Sequence, residues 1–345
     1  MVDLATETSP VSSPTSIWTW RGKRSTRAAL YLPYLSTIEK RNGSTWQLSF
    51  NGGSIEADLN KVDFVLVYGI SGSLPVEFLD ALCQRGIPLI VHRTHKARAY
   101  CFEPGTGHDR HDVLTRQILA RRDARRATYI ARTLVRARLL SMRWLIPLPK
   151  TELAKLSSTR SVARVRSLEA IATRRYWRSY LRRVGTTGPR RGDEPRPLKQ
   201  ALDACSMYVS GIVLRWTLFH KLSPQHGYLH EPSSYASLVY DLMEPYRTWM
   251  ERAVMSAAQD CGIEDSKSLV STSIAKLKDL FEEAVYVPCV RETVRRKNLL
   301  HGAVLSLRSY LRSEMSRFVL PVEGERIGGR PPKVSYRIPG QIPDR

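Results

Sequence analysis

The stretch VDFVLVYGISGSLPVEFLDALCQRGIPLIVHR, residues 62–93, decides the fold. Its opening VDFVLVYG is a continuous apolar, β-branched run, the pattern of a strand buried on both faces. Ser73 is positioned to cap a short helix, Pro75 suits its first turn, and Phe78, Leu79 and Leu82 share its apolar side. Gly86 stops that helix, and PLIVHR returns as a second strand. VYGISGSLP contains glycines, but at no spacing that would cradle a phosphate, so it reads as a turn.

Outward from this unit, AALYL is another apolar run, and TWQLSF alternates around Trp46, Leu48 and Phe50. Asn51-Gly52-Gly53 supplies a hairpin turn into SIEADL, and ARAYCF is a last strand. Residues 26–102 therefore read as a small, mostly-β domain with one helix. EPGTGHDRHD, residues 103–112, is a linker. Beyond it, residues 113–320 read as a larger all-α domain, so the fold class is α+β. Helices are expected over 113–145, 151–184, 197–222, 234–261, 266–284 and 290–318. In the first of them Ala127, Ile130, Ala131, Leu134, Ala137 and Ser141 form a small-residue stripe. Arginines, including Arg121, Arg132, Arg136, Arg138 and Arg143, take the other faces. Residues 1–25, Ser/Thr/Pro-rich, read as a disordered tail, and residues 321–345 as an extended, mobile one.

Lys and Arg total 54 against 32 acidic residues, a net charge of +22, which calls for a polyanionic partner such as nucleic acid. No apolar run is long enough to span a bilayer, and the first residues lack the pattern of a signal peptide. A cytoplasmic protein with no membrane partner is the expectation. Five cysteines, far apart and without zinc-type spacing, read as buried thiols in a reducing compartment. Nucleotide-loop, dinucleotide, esterase and zinc-hydrolase motifs are missing from the sequence.

The residues with chemical potential cluster in YLHEPSSYASLVYDLMEPYR, residues 228–247. Asp241 and Glu244, at i and i+3, share one side of a helix. Two readings stand open: a salt bridge to Arg247, or a divalent-cation site with His230 just upstream. Pro245 would remove the hydrogen bond to the Asp241 carbonyl and bend the helix at the carboxylate pair. Glu169 lies beside the apolar face of its helix, where Arg166 or a shared cation would balance it. The basic runs RRYWRSYLRR and RRK, with Tyr176, Trp177 and Tyr180 interleaved in the first, suit phosphate contacts and base stacking. They nominate Arg174, Arg175, Arg178, Arg182, Arg183, Arg295 and Arg296, together with Arg247, as DNA contacts.

GYLH followed by SLVYDLMEPYR, with Glu169 in a preceding LEA…YW helix, resembles the CRISPR-associated protein one family, the endonuclease/integrase of spacer acquisition. The order of elements in residues 62–93 agrees. The resemblance implies catalytic residues Glu169, His230 and Glu244, which also ligate Mg²⁺ or Mn²⁺ with Asp241 in support. It implies joining of a protospacer 3′-hydroxyl to a repeat strand, and cleavage of branched DNA. It further implies a homodimer formed through the β domains, with CRISPR-associated protein two as partner. A transposon-type, casposase-like integrase is the neighbouring reading, and a non-catalytic nucleic-acid scaffold the reading from charge alone.

Overall fold

The computed structural model describes residues 28–342 apart from 52, 71, 94–97, 105–111, 187–191, 193, 231–235 and 327–333. The expected tail over 1–25, Gly52 and most of the linker therefore lie outside the described residues. The N-terminal strands are β1 (Ala28–Leu35), β2 (Thr37–Asn42), β3 (Thr45–Phe50), β4 (Gly53–Asp58), β5 (Val62–Ile70), β6 (Leu89–Arg93) and β7 (Arg98–Phe102). One sheet has the order β1-β5-β6-β7, with β1, β5 and β6 parallel and β7 antiparallel to β6. β2, β3 and β4 form a separate antiparallel sheet. Helix α1 (Val76–Gln84) makes the crossover from β5 to β6, as a parallel pair requires. It begins one residue after Pro75, without a side-chain cap, so Ser73 does not play the expected role.

The two-faced burial of β5 is real, and it joins the halves of the molecule. Val65 and Val67 pack with Leu32, Leu48 and Phe78 between the two sheets. Phe64, Leu66 and Tyr68 point the other way, into the core of the helical domain. The helix that meets them carries Gly211, where a Cβ would lie 2.3 Å from the Phe64 ring, so only glycine permits this approach.

The helices are α2 (Val113–Arg122), α3 (Ala124–Ser141), α4 (Lys150–Ser158), α5 (Val162–Arg183), α6 (Arg196–Phe219), α7 (Ser237–Met243), α8 (Arg247–Cys261), α9 (Ser266–Glu282) and α10 (Asn298–Leu311). Two of the long helices expected from the sequence are broken by capping side chains. The Asp123 carboxylate accepts the Arg125 and Arg126 N–H groups and starts α3 afresh. Ser161 does the same for α5 by accepting from Arg164 N–H.

The second half is not all-α. Strands β8 (Ala284–Val287) and β9 (Glu292–Arg295) form a hairpin, and β10 (Gln341–Ile342) adds to β9. AVYV and ETVR are four-residue runs, too short to show a period against the helices beside them. The C-terminal segment is accordingly tied down: Tyr336 and Ile338 are buried, and the Tyr336 hydroxyl donates to Val319 O at 2.7 Å. Ile338→Ala is expected to cost about 2–5 kcal/mol in urea unfolding, the range for truncating a fully buried isoleucine. A mobile tail would show no loss.

The thiols also differ from expectation. Cys205 is buried and Cys289 half-buried, whereas Cys83, Cys101 and Cys261 are exposed; all five are free. Among the described residues no helix is long and apolar enough to cross a membrane.

Candidate active site

The chain leaving α6 turns back over the start of α7, and three side chains shape that turn. Gln117 of α2 is fully buried; its amide donates to the Ser223 and His226 carbonyls at 2.9 Å and accepts from Ser223 N–H at 2.8 Å. Ser237 accepts from Gly227 N–H and donates to Gln225 O. Arg166, considered from sequence as a partner for Glu169, donates from Nε to Leu229 O. A Cβ at Gly227 would lie 2.8 Å from Asp241 Oδ2, so glycine lets the backbone close over that carboxylate.

Asp241 is wholly buried and satisfied on both oxygens. Oδ2 accepts from Tyr228 and Leu229 N–H, while Oδ1 accepts from His230 N–H at 3.0 Å and contacts His230 Nδ1 at 2.7 Å. With its lone pairs so engaged, Asp241 orients the imidazole. Nδ1 being occupied, Nε2 is the nitrogen that faces outward, 3.8 Å from Glu244 Oε1. Burial pushes the imidazole pKa down, but the hydrogen bond to Asp241 and the charges of Asp241 and Glu244 outweigh it, leaving a net rise.

Pro245 bends the chain where the sequence indicated. The expected helix over 234–261 is interrupted by a 3-10 turn, Glu244–Tyr246, between α7 and α8. Glu244 N–H bonds to the Asp241 carbonyl in place of the donor that proline lacks. Glu244 itself is buried, and its Oε1 accepts from Arg247 Nε at 2.8 Å. The salt-bridge reading is therefore true of Glu244 and Arg247, while Asp241 belongs to His230. Glu169, half-buried on α5, has a raised pKa, first from burial and next from the charge of Glu244, opposed by Arg138, Arg247 and His230.

The sequence reading missed the far wall. Arg138, assigned there to a solvent face, is buried, and its two Nη atoms grip Glu251 at 3.1 and 2.7 Å. Tyr176 donates to Glu251 Oε2 at 2.6 Å, and Tyr180 to the Glu251 carbonyl at 2.9 Å. The signal was present: Arg138 falls four residues after Leu134 and seven after Ala131, in register with the buried stripe.

The family model for "CRISPR associated protein Cas1" matches residues 36–279, most of the chain, with every one of these site residues inside it. The chain belongs to the Cas1 family. A "CRISPR-associated endonuclease Cas1" of Korarchaeum cryptofilum (strain OPF8) is 37% identical over 87 residues, 25% of this chain and 26% of that protein. The chain thus matches about a quarter of that curated relative's length. Among solved structures, a casposase bound to integration product superposes with a TM-score of 0.71 at 19% identity, covering 87% of this chain and 96% of that one. A Cas1 protein from Thermotoga maritima gives 0.69 at 19% identity, over 86% and 100%. Both likenesses are of fold, a strand-rich N-terminal region followed by a helical one.

Of the arginines nominated for DNA, Arg174, Arg178, Arg182 and Arg183 line exposed positions of α5 in this Cas1 chain. The others are committed within the protein. Arg175 is paired with Glu152, Arg247 with Glu244, Arg295 with Glu282, and Arg296 is buried between Glu283 and Glu323. Tyr176, Trp177 and Tyr180 are buried too, so their spacing reflects the core, not a stacking surface. A cleft of about 490 Å³ opens beside the site, lined by Tyr68, His92, Trp177, Arg196, Lys199 and Arg247 among others.

The donor set suits a hard divalent cation of the kind Cas1 resemblance implies. The charges acting on His230 are those of Asp241 and Glu244, which favour its protonated form, opposed by Arg247, and the Glu169 carboxyl in turn feels Glu244 and His230. Two donors about 2.1 Å from one octahedral ion are roughly 3 to 4 Å apart, and His230 Nε2 and Glu244 Oε1 are at 3.8 Å. Among the described residues no three His, Cys, Asp or Glu side chains already converge as a complete ligand group. Arg247 occupies the Glu244 oxygen that would turn to an ion.

Proposed function

We propose that this Cas1 chain is a divalent-cation-dependent DNA integrase and endonuclease that joins 3′-hydroxyl ends of protospacer DNA into a CRISPR repeat array. The observation that carries the reading is an imidazole held by buried Asp241 with its Nε2 3.8 Å from Glu244 Oε1, near enough to Glu169 that the charges of both act on that carboxyl. Glu169, His230 and Glu244 would hold Mg²⁺ or Mn²⁺, with Asp241 fixing His230. The cation supplies Lewis-acid polarisation of the phosphodiester and stabilises the leaving 3′-oxygen.

The protein's own contribution is placement. Asp241 locks the imidazole so that Nε2 is left for the cation on the Glu244 side. Arg174, Arg178 and Arg182, four residues apart on one side of α5, bear on successive phosphates and align the strands for in-line attack. The incoming 3′-hydroxyl forms the new bond to phosphorus as the bond to the target's 3′-oxygen breaks. One phosphodiester replaces another, so no energy source is needed. With water as the nucleophile the same geometry cuts branched DNA.

Homodimerisation through the β domains and assembly with Cas2 complete the reading. Solved structures of this fold in a Cas6-RT-Cas1–Cas2 complex and in a Cas1–DNA complex support Cas2 and DNA as the partners. The fold shared with a casposase bound to integration product favours a second reading, insertion at a transposon-type target. One assay separates them: incubate the protein, with and without Cas2, with short 3′-hydroxyl duplexes, Mn²⁺ and a supercoiled plasmid carrying a repeat array. Joined products at repeat borders are expected. Products scattered outside the array favour the transposon-type reading, and no joining or cutting with any partner overturns both.

A further inference from the structure

We propose that Arg138 is a positioning residue of the catalytic site, a buried guanidinium that fixes which oxygen of Glu244 is presented to the cation; the proposal rests on the reading of Glu169, His230 and Glu244 as the cation site. Three observations carry it. Arg138 is 1% exposed, and each of its Nη atoms donates to Glu251, which Tyr176 and Tyr180 anchor from α5. Its Nε–H has no hydrogen-bond acceptor among the described residues, and Nε lies 4.0 Å from Glu244 Oε2. The other Glu244 oxygen, Oε1, accepts from Arg247 Nε at 2.8 Å and lies 3.8 Å from His230 Nε2.

An ion pair buried only to hold the fold together would be replaced by apolar side chains at little cost, because desolvation cancels most of the attraction. Here the pair stands where α3, α5, α8 and the Glu244 turn cross. Tyr176 lies seven residues after Glu169, on the same side of α5, so the helix that carries one candidate ligand also clamps the Glu251 end of the fork. Arg138 thus attracts Oε2, turning Oε1 toward the imidazole, and its fixed charge sits between the Glu244 and Glu169 carboxylates and the protein core. It touches neither cation nor DNA and acts through Glu244 alone.

The test is a volume-matched apolar replacement, Arg138→Met with Glu251→Leu and Tyr176→Phe, compared with the native chain by calorimetric Mn²⁺ titration and by joining kinetics. The expected result is a melting temperature near that of the native protein, Mn²⁺ affinity lowered about 10- to 100-fold, and kcat lowered with KM for DNA unchanged. Native Mn²⁺ affinity and kcat in the folded triple variant overturn the proposal. If the triple variant does not fold, Arg138→Lys decides: it keeps the charge and the Glu251 pair but withdraws the Nε–H arm. Its Mn²⁺ affinity is expected to fall at least about threefold with folding intact, and native affinity overturns the proposal. A native protein that binds no Mn²⁺ at all sinks the underlying cation site, an outcome distinct from a triple variant that binds normally.

Discussion

His230→Ala is expected to lower DNA joining and cutting by about 1,000-fold or more, the effect of losing several kcal/mol of charge stabilisation at the phosphate. Its fold should survive, because Asp241 keeps three backbone N–H donors and loses only the imidazole contact, costing about 1–2 kcal/mol. Gel-based joining, with DNA affinity measured alongside, checks this: kcat collapses while binding to DNA is retained. Equal activity in the folded variant would contradict the assignment. The pH dependence offers a second signature. His230 has a raised pKa in the folded state, so without a cation its stabilising contribution is present below the unfolded value and is lost as pH rises through the raised one. Cation binding needs the neutral ring, so Mn²⁺-induced stabilisation grows with pH over that same window. Thermal melts with and without Mn²⁺ should therefore show opposite contributions from this group, both absent in His230→Ala.

Asp241→Asn is expected to have the larger effect on stability, about 3 kcal/mol or more by urea unfolding. The carboxylate accepts from three backbone N–H groups and contacts the imidazole, all in a buried site. An asparagine of the same shape turns an NH₂ group toward donors on one side, so at least one buried N–H is left without an acceptor. The residues from Gly227 to His230 then lose their anchor, and His230 is freed to rotate. Joining falls with stability in this variant, unlike His230→Ala. Near-native stability would contradict the role of Asp241 as the anchor of the turn from Gly227 to His230.

These two variants also show where sequence reading stops. His230, Asp241 and Glu244 could be picked out because they sit within fifteen residues of chain, and the Pro245 bend follows from a missing N–H. Their division of labour could not, because it depends on which backbone donors fold over Asp241, and those arrive through Gln117 and Ser237, residues of no apparent chemistry. The mostly-β half was legible from β5 because two-faced burial leaves an unbroken apolar run. The helical half was over-simplified wherever one capping side chain, Asp123 or Ser161, restarts a helix without interrupting the periodic pattern. Arginine was the least legible residue. Arg174 and Arg178 are exposed as expected, while Arg138 and Arg296 are buried, and composition treats all four alike.

Glu169, Glu244 and His230 are held by three separate elements, α5, the 3-10 turn and the loop before α7, so only a shared ligand makes them one site. Pulsed electron paramagnetic resonance of Mn²⁺ added to the full chain tests this directly. One bound Mn²⁺ carrying the nuclear coupling of a single imidazole nitrogen is predicted, lost in His230→Ala and weakened in Glu169→Ala and Glu244→Ala. A spectrum identical to hydrated Mn²⁺, or a nitrogen coupling that persists in His230→Ala, would contradict the account.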